Sequence, residues 1–409
     1  MSAHRTSTTR ALAGLAASLL LCVGLSACNG SDSSNDQAQG DSAAPGGAET
    51  TPAAETDVEL TSNVKNPRAV PIDKDIRFEA VGGTLEKVVV RSGKGAELAG
   101  GITADDTAWE AKGRLEPGTT YTARAVTRTP GGTTKRATTT FRTVDLSLDQ
   151  QTYPSVAPLN GESVGVGMPV IVSFDIAVQD KATIEKHLKV TSTPKQPGAW
   201  HWISDQEVHW RPRSYWRAGT SVDVDVDINS IPAGAGIYGQ ESRHVSFDIG
   251  DAHVYKVNMD THQMRVFSNG SLLRTIPITT GEEPKFTTRS GVKVILEKFR
   301  EKRMNSETIG IDRNSPDGYD IDDVEYAMRV TYSGEFVHAA PWSVGSQGSA
   351  NVSHGCTGMS TANAAWLYNM TSRGDVVEYT GTDKPMTLTN GYGDWNLDFA
   401  DWASGSALS

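Results

Sequence analysis

Cysteine is scarce in this chain: Cys22, Cys28 and Cys356 are the only three in 409 residues. A framework of disulfides is therefore excluded, and order has to come from packed cores. Positive charge is also in deficit, with 38 Lys and Arg against 49 Asp and Glu and a formal net charge of -11. A polyanion binder needs clustered cations to release counterions, so this balance excludes nucleic acid as the main partner. Long apolar runs are missing apart from Ala11 to Leu25, which is too short and too poorly flanked for a membrane-spanning helix. No histidine follows Cys356, since all nine lie at or before His354. A papain-like order, with the histidine well after the cysteine, is excluded by that fact alone.

What is present starts with Arg5 and Arg10 ahead of the apolar stretch, the layout of an export signal over residues 1–27. It ends in Leu25-Ser26-Ala27-Cys28, which resembles a bacterial lipobox and implies lipidation of Cys28. Cys22 leaves with such a signal, and Cys356 is then the one free thiol of the mature chain. The expectation is an exported lipoprotein facing the cell wall, held to the membrane through its N-terminal lipid only. Residues 28–61 are rich in Ser, Gly, Ala, Asp, Glu and Pro and have too little apolar surface to order themselves. They read as an acidic tether with a span on the order of 30 Å.

A chain of this length divides into several cores. Alternating runs such as Lys87-Val88-Val89-Val90 and Ser221 to Asp227, separated by Gly and Pro turns, predict antiparallel strands. Trp109, Gly118 and Thr119 recur 101 residues later as Trp210, Gly219 and Thr220. About 100 residues is the size of one immunoglobulin-like sandwich, and two are expected, over 62–149 and 150–250. Trp109, Trp210, Phe141 and Phe247 are read as core. The segment 251–381 opens with Val254 to Val257 and Gln263 to Phe267, expected to form a hairpin around Ser268-Asn269-Gly270. One helix is predicted after the cysteine, over Ala362 to Met370, with Ser360 as N-cap, Ala365, Trp366, Tyr368 and Asn369 at packing spacings, and Arg373-Gly374 as the stop beyond it. The aromatics Tyr392, Trp395, Phe399 and Trp402 of residues 382–409 are expected to pack back on the chain. The fold class is thus mainly β: two sandwiches, a β-sandwich-like third domain with one bracing helix, and a C-terminal extension.

The most informative stretch is His338-Ala339-Ala340-Pro341-Trp342 followed by Ser353-His354-Gly355-Cys356. A thiol of ordinary pKa is mostly protonated at neutral pH and becomes a nucleophile when a base or cation adjoins it. Two histidines supply that role. A structural cysteine would sit in an apolar run, whereas Cys356 lies in a polar, turn-prone loop. A zinc site from His338, His354 and Cys356 is the sharper rival, but no second thiolate or local ligand cluster supports it. Asp312 to Gly318 resembles the start of an EF-hand loop, with its Gly one place late and Asp323 where Glu is required. No metal and no cofactor are expected.

The histidine placed 18 residues before the cysteine of a Ser-His-Gly-Cys motif, with Thr287-Thr288-Arg289-Ser290-Gly291 ahead of a strand, resembles the YkuD-type L,D-transpeptidase catalytic domain. The whole layout is similar to actinobacterial and mycobacterial lipoprotein members of that family. The resemblance implies a peptidoglycan L,D-transpeptidase that joins tetrapeptide stems by 3-3 cross-links through a thioester on Cys356, releasing D-alanine. L,D-carboxypeptidase action, or a non-enzymatic wall-binding role, is the alternative. It implies that His338 is the general base, oriented by the Ala339 carbonyl, and that His354 and the amides of Gly355 and Cys356 line an oxyanion site. Tyr319, Ser333, Gly334, Trp342, Ser353 and Gly358 would bind substrate under a lid near 299–332. Members often carry Ser at the position of Ala339 and Asn at that of Gly358. Carbapenem β-lactams are the implied covalent inhibitors.

Overall fold

A computed structural model describes residues 57–409. The expected signal, Cys28 and most of the 28–61 tether lie outside the described residues.

Alternation of side chains across a strand decides the first two domains. In Ser221–Val226, Val222, Val224 and Val226 turn inward and are buried, while Asp223 and Asp225 face out, Asp225 meeting His244 at 2.7 Å. The first sandwich packs the sheet of Glu59–Ser62, Arg77–Val81, Ala108–Ala111 and Gly100–Ile102 on that of Thr84–Ser92, Thr120–Arg128 and Thr134–Arg142. Trp109 lies 5.8 Å from Phe78 and Tyr121 stacks on Phe141 at 5.2 Å in its core. The second packs Gly198–Trp202, Glu207–Pro212, Val170–Phe174 and Pro154–Ala157 on Ser163–Val164, Arg243–Ile249, Ser221–Val226 and Leu188–Thr193. Trp210 and Phe247 are buried there as Trp109 and Phe141 are in the first, so all four aromatics are core as expected.

The third domain has two sheets. The first has the order β3-β2-β1-β9-β4, built from β1 (His253–Asn258), β2 (Gln263–Ser268), β3 (Ser271–Pro277), β4 (Gly291–Val294) and β9 (Val376–Thr380). The second has the order β5-β6-β7-β8, from β5 (Glu297–Asn305), β6 (Asp320–Arg329), β7 (Phe336–Ala339) and β8 (Thr357–Met359). The Asn269-Gly270 turn, both residues at positive φ, joins β2 to β3 and not β1 to β2 as the sequence suggested. The β1–β2 hairpin closes instead at Met259 to His262, where His262 takes the positive φ and Asn258 Oδ1 accepts from Thr261 N at 2.9 Å.

Helix α1 (Thr361–Met370) starts at Ser360, whose hydroxyl oxygen accepts from Asn363 N. It ends at Met370, as the sequence suggested, ahead of Arg373-Gly374. Thr371 turns extended, and its hydroxyl donates to Leu367 O at 2.7 Å and meets Tyr255 Oη at 2.8 Å. The buried face is Ala364 and Leu367, displaced by one residue from the predicted stripe; Trp366 lies under Arg274 and Tyr368 beside Tyr326.

The second sandwich and the third domain share one core, which includes Val376 of β9. Gly165 N donates to Arg373 O (2.7 Å) and Gly167 N to Gly374 O (2.8 Å), and Arg373 pairs with Glu162 at 2.8 Å. The C-terminal residues lock this joint. Trp395 donates to Gly167 O (2.7 Å), and Asp394, fully buried, pairs with His209 at 2.8 Å. Burial opposes charge on His209, but Asp394 and Glu207 outweigh it and raise the imidazole to about 9. A raised folded-state pKa means that His209 contributes stability below its unfolded value near 6.5, and that this is lost as pH rises through about 9. Thermal melts between pH 7 and 10 are expected to show a fall that His209→Gln flattens.

Candidate active site

Cys356 precedes β8, and His338 lies on the neighbouring parallel strand β7 opposite Gly358. Both open into one cavity of about 420 Å³, whose apolar walls include Met304, Ile321 and Val324 of the β5–β6 hairpin and Val352. A concave, mostly apolar pocket with a few convergent polar groups is the usual form of a small-ligand site.

The imidazole of His338 is buried, and its Nδ1 lies 2.7 Å from the Ala339 carbonyl. A carbonyl only accepts, so Nδ1 carries the hydrogen and a neutral ring keeps its lone pair on Nε2. Burial lowers the His338 pKa, with the Ala339 hydrogen bond acting the other way, so the ring rests neutral. The thiol of Cys356 donates to Gly334 O at 3.6 Å. Its pKa is pushed up to about 12 by burial, against the Phe336 backbone amide, which favours the charged sulfur. The thiol and the imidazole face the same cavity, the thiol turned to Gly334 O and the imidazole to Ala339 O.

The loop carrying the thiol is clamped from three sides. Gly355 N donates to Ser353 Oγ (3.2 Å), and that hydroxyl donates to Cys356 O (2.6 Å). Thr288 Oγ1 accepts from Gly281 N (2.8 Å) and donates to Gly355 O (2.9 Å). Asn351 Oδ1 accepts from Thr280 N (3.1 Å), and its amide donates to Met259 O (3.1 Å). Gly355 sits at φ +116°, a conformation that an L side chain rarely adopts.

The expected groove residues separate into groups. Tyr319, Trp342, Ser353, His354 and Gly358 line the cavity with His338 and Cys356. The His354 ring lies between Phe286 (4.3 Å) and Tyr319 (5.0 Å). Gly355 is not offered as a free amide donor, because its N–H already serves Ser353. Gly334 lines a second hollow, with Tyr332 and Phe336, and presents its carbonyl to the thiol. Ser333 lines neither; its hydroxyl oxygen accepts from Arg289 (3.2 Å) and Asn390 (2.9 Å). Among the described residues no cluster of three or more His, Cys, Asp or Glu has the arrangement to hold a metal ion.

Thr279 and Asn351 were missed because nothing in a lone Thr or Asn of a loop marks a backbone clamp, and Thr288 was noted only as part of the Thr287-Thr288-Arg289-Ser290-Gly291 turn. Lys293 and Glu335 were also missed, although a lysine between Val292 and Val294 is a visible break in an apolar run.

Gly358 is fixed by packing. A Cβ there would meet Ala340 Cβ at 2.8 Å and Thr279 Cγ2 at 3.1 Å, while Gly358 N and O bond Thr279 O and N at 2.9 Å each. Gly358→Asn is therefore expected to cut any turnover at this pocket at least about tenfold and to lower the melting temperature. Parent-like kinetics with an unchanged melt would contradict that packing argument.

Two immunoglobulin-like sandwiches, fused to a two-sheet domain whose pocket joins a thiol to a tautomer-locked imidazole, define the class of multidomain protein that the Ser-His-Gly-Cys motif resembles. The chain belongs to the L,D-transpeptidase family. Residues 252–378 match the L,D-transpeptidase catalytic domain (YkuD) and residues 67–232 the bacterial Ig domain. L,D-transpeptidase 2 of Mycobacterium tuberculosis is 36% identical over 360 residues, 87% of this chain and 87% of that protein. L,D-transpeptidase 5 of the same species is 34% identical over 346 residues, 83% of this chain and 74% of that protein. Among solved structures, an L,D-transpeptidase in complex with imipenem is 39% identical, covering 55% of this chain and 97% of its own, with a TM-score of 0.49.

Proposed function

We propose that this protein is a cysteine acyltransferase that cross-links peptidoglycan tetrapeptide stems. The observation that carries the reading is His338, buried and neutral, with Nδ1–H committed to Ala339 O and Nε2 left as base in the pocket of Cys356. Nε2 takes the thiol proton as Sγ attacks the carbonyl at the L-centre of the third stem residue. The carbon–nitrogen bond to D-alanine breaks, and the leaving amine receives that proton from His338. The amine of a neighbouring stem then attacks the thioester, giving its proton to Nε2, and the thiol is reprotonated as the carbon–sulfur bond breaks. No ATP is consumed, which suits a compartment outside the membrane. A stem peptide seated against the apolar walls from Met304, Ile321, Val324 and Val352 would displace water there and so favour the amine over hydrolysis.

Imipenem acylation of Cys356 follows from the same reading, since a β-lactam carbonyl occupies the position of the stem amide. The Arg5, Arg10 and Leu25 to Cys28 pattern supports export and lipidation at Cys28. Incubation with a tetrapeptide-stem fragment tests the function. Release of D-alanine with a cross-linked dimer supports it, tripeptide alone identifies a carboxypeptidase, and no release with full wall binding favours the non-enzymatic role.

A further inference from the structure

The mechanism above leaves unused an ion cluster buried beneath the nucleophile. Lys293, on β4, is wholly buried, and its Nζ lies 2.5 Å from Glu335 Oε2. Glu335 is itself buried, and its other oxygen accepts from Arg289 Nη1 (3.0 Å) and Arg289 N (3.2 Å). The cluster touches the cysteine loop at several points. A Cβ on Gly355 would stand 3.9 Å from Glu335 Cγ. Gly334, which precedes Glu335, accepts the thiol, and Thr288, which precedes Arg289, holds Gly355 O. Lys293 Nζ lies 3.7 Å over the Tyr379 ring, whose hydroxyl meets Thr357 Oγ1 at 2.8 Å.

Taking two charges out of water is costly, and a hydrophobic pair of similar volume is often at least as stable. Stability alone therefore gives a weak reason for Lys293 and Glu335 to be there. Their position suggests another. A carboxylate under a sulfur opposes its ionisation, and an ammonium in contact with that carboxylate cancels the effect.

We infer that Lys293 and Glu335 are positioning residues that set the ionisation of Cys356, Lys293 neutralising the charge that Glu335 places under the thiol. The inference rests on Cys356 being the nucleophile. The groups facing the thiol include Glu335, Lys293, Tyr319 and Tyr379, with His338 on β7; those facing Lys293 are Glu335, Arg289, Cys356 and Tyr379. Glu335 acts on the sulfur to raise its pKa and Lys293 to lower it. Burial brings Lys293 itself down to about 8, with Glu335 working in the opposite direction. Loss of its proton in mildly alkaline solution would leave Glu335 countered by Arg289 alone.

The test is the pH dependence of Cys356 alkylation by iodoacetamide in the full chain, with a Cys356→Ala protein as blank. Lys293→Met is expected to slow alkylation about tenfold at pH 7.5 by moving the profile up about one unit. Lys293→Arg keeps the parent rate at pH 7.5, where both side chains carry a charge, and Lys293→Met with Glu335→Gln returns toward it. A structural role alone would lower the melting temperature in every variant without moving the profile. An unmoved profile in folded Lys293→Met, or a double variant displaced as far as the single, would overturn the inference. Iodoacetamide needs no stem peptide, so this result is read independently of whether tetrapeptide turnover is found.

Discussion

His338→Ala is expected to reduce acyl transfer by about 100- to 10,000-fold, the usual contribution of a positioned proton-transfer group. The effect should fall on kcat. The thiol rests protonated, with a pKa near 12, and the carbonyl of Gly334 accepts its hydrogen. Without Nε2 the attacking sulfur loses the base that the Ala339 carbonyl orients, whereas the apolar walls that bind the stem are untouched. Cys356→Ala should leave no acyl-enzyme at all. Ala339→Ser should have little effect, because the orienting atom is the main-chain carbonyl, 2.7 Å from Nδ1. Rates of imipenem acylation followed by intact mass would check all three. A His338→Ala protein that acylates at the parent rate would remove the histidine from the mechanism.

The second large effect concerns stability. Trp402→Ala is expected to cost about 3–5 kcal/mol, the range for emptying a buried aromatic site. Trp402, in α2 (Phe399–Ala403), is fully buried; its Nε1 donates to Ala199 O (2.9 Å) and its ring stacks on His201 at 4.6 Å. Arg211 lies between the Trp402 and Trp395 rings, 4.7 and 4.8 Å from their centres, and donates to Leu397 O at 2.9 Å. Removing the indole exposes that guanidinium's apolar seat and loosens the residues that brace the second sandwich against the third domain. Calorimetry should show a lower melting temperature, and limited proteolysis should cut the tail first. A melt within a degree of the parent would contradict this account.

Strand alternation made most of the mainly β fold legible. Val222, Val224 and Val226 alternate with aspartates, and a period of two leaves one choice of inward face. The 101-residue repeat worked because Trp109 and Trp210 fill equivalent core positions. Local turn chemistry was less decisive. Asn269-Gly270 marks a hairpin turn, but a turn signal does not say which two strands it joins. The end of α1 at Met370 was legible, but not the contact that fixes it, in which Thr371 meets Tyr255, 116 residues away.

The site was legible where chemistry and spacing coincide, at His338 and Cys356, and illegible where a residue acts through the backbone. Ser353 was named for substrate and instead clamps Gly355 and Cys356. Thr288 holds Gly355 from a loop 67 residues away in sequence, and Asn351 ties the cysteine loop to Thr280 and Met259. The resting state of the thiol was also beyond the sequence. Two histidines near a cysteine suggested an activated sulfur, whereas burial raises the Cys356 pKa and the thiol donates to the Gly334 carbonyl.

The central claim is that Cys356 forms a thioester with a stem peptide. Mixing the protein with a tetrapeptide-stem fragment, quenching in acid and sequencing the Cys356 peptide by mass spectrometry tests it directly. The account predicts a tripeptide-stem adduct on Cys356, absent from Cys356→Ala and trapped less in His338→Ala. Release of D-alanine by Cys356→Ala at the parent rate, or an adduct on any other residue, would contradict it.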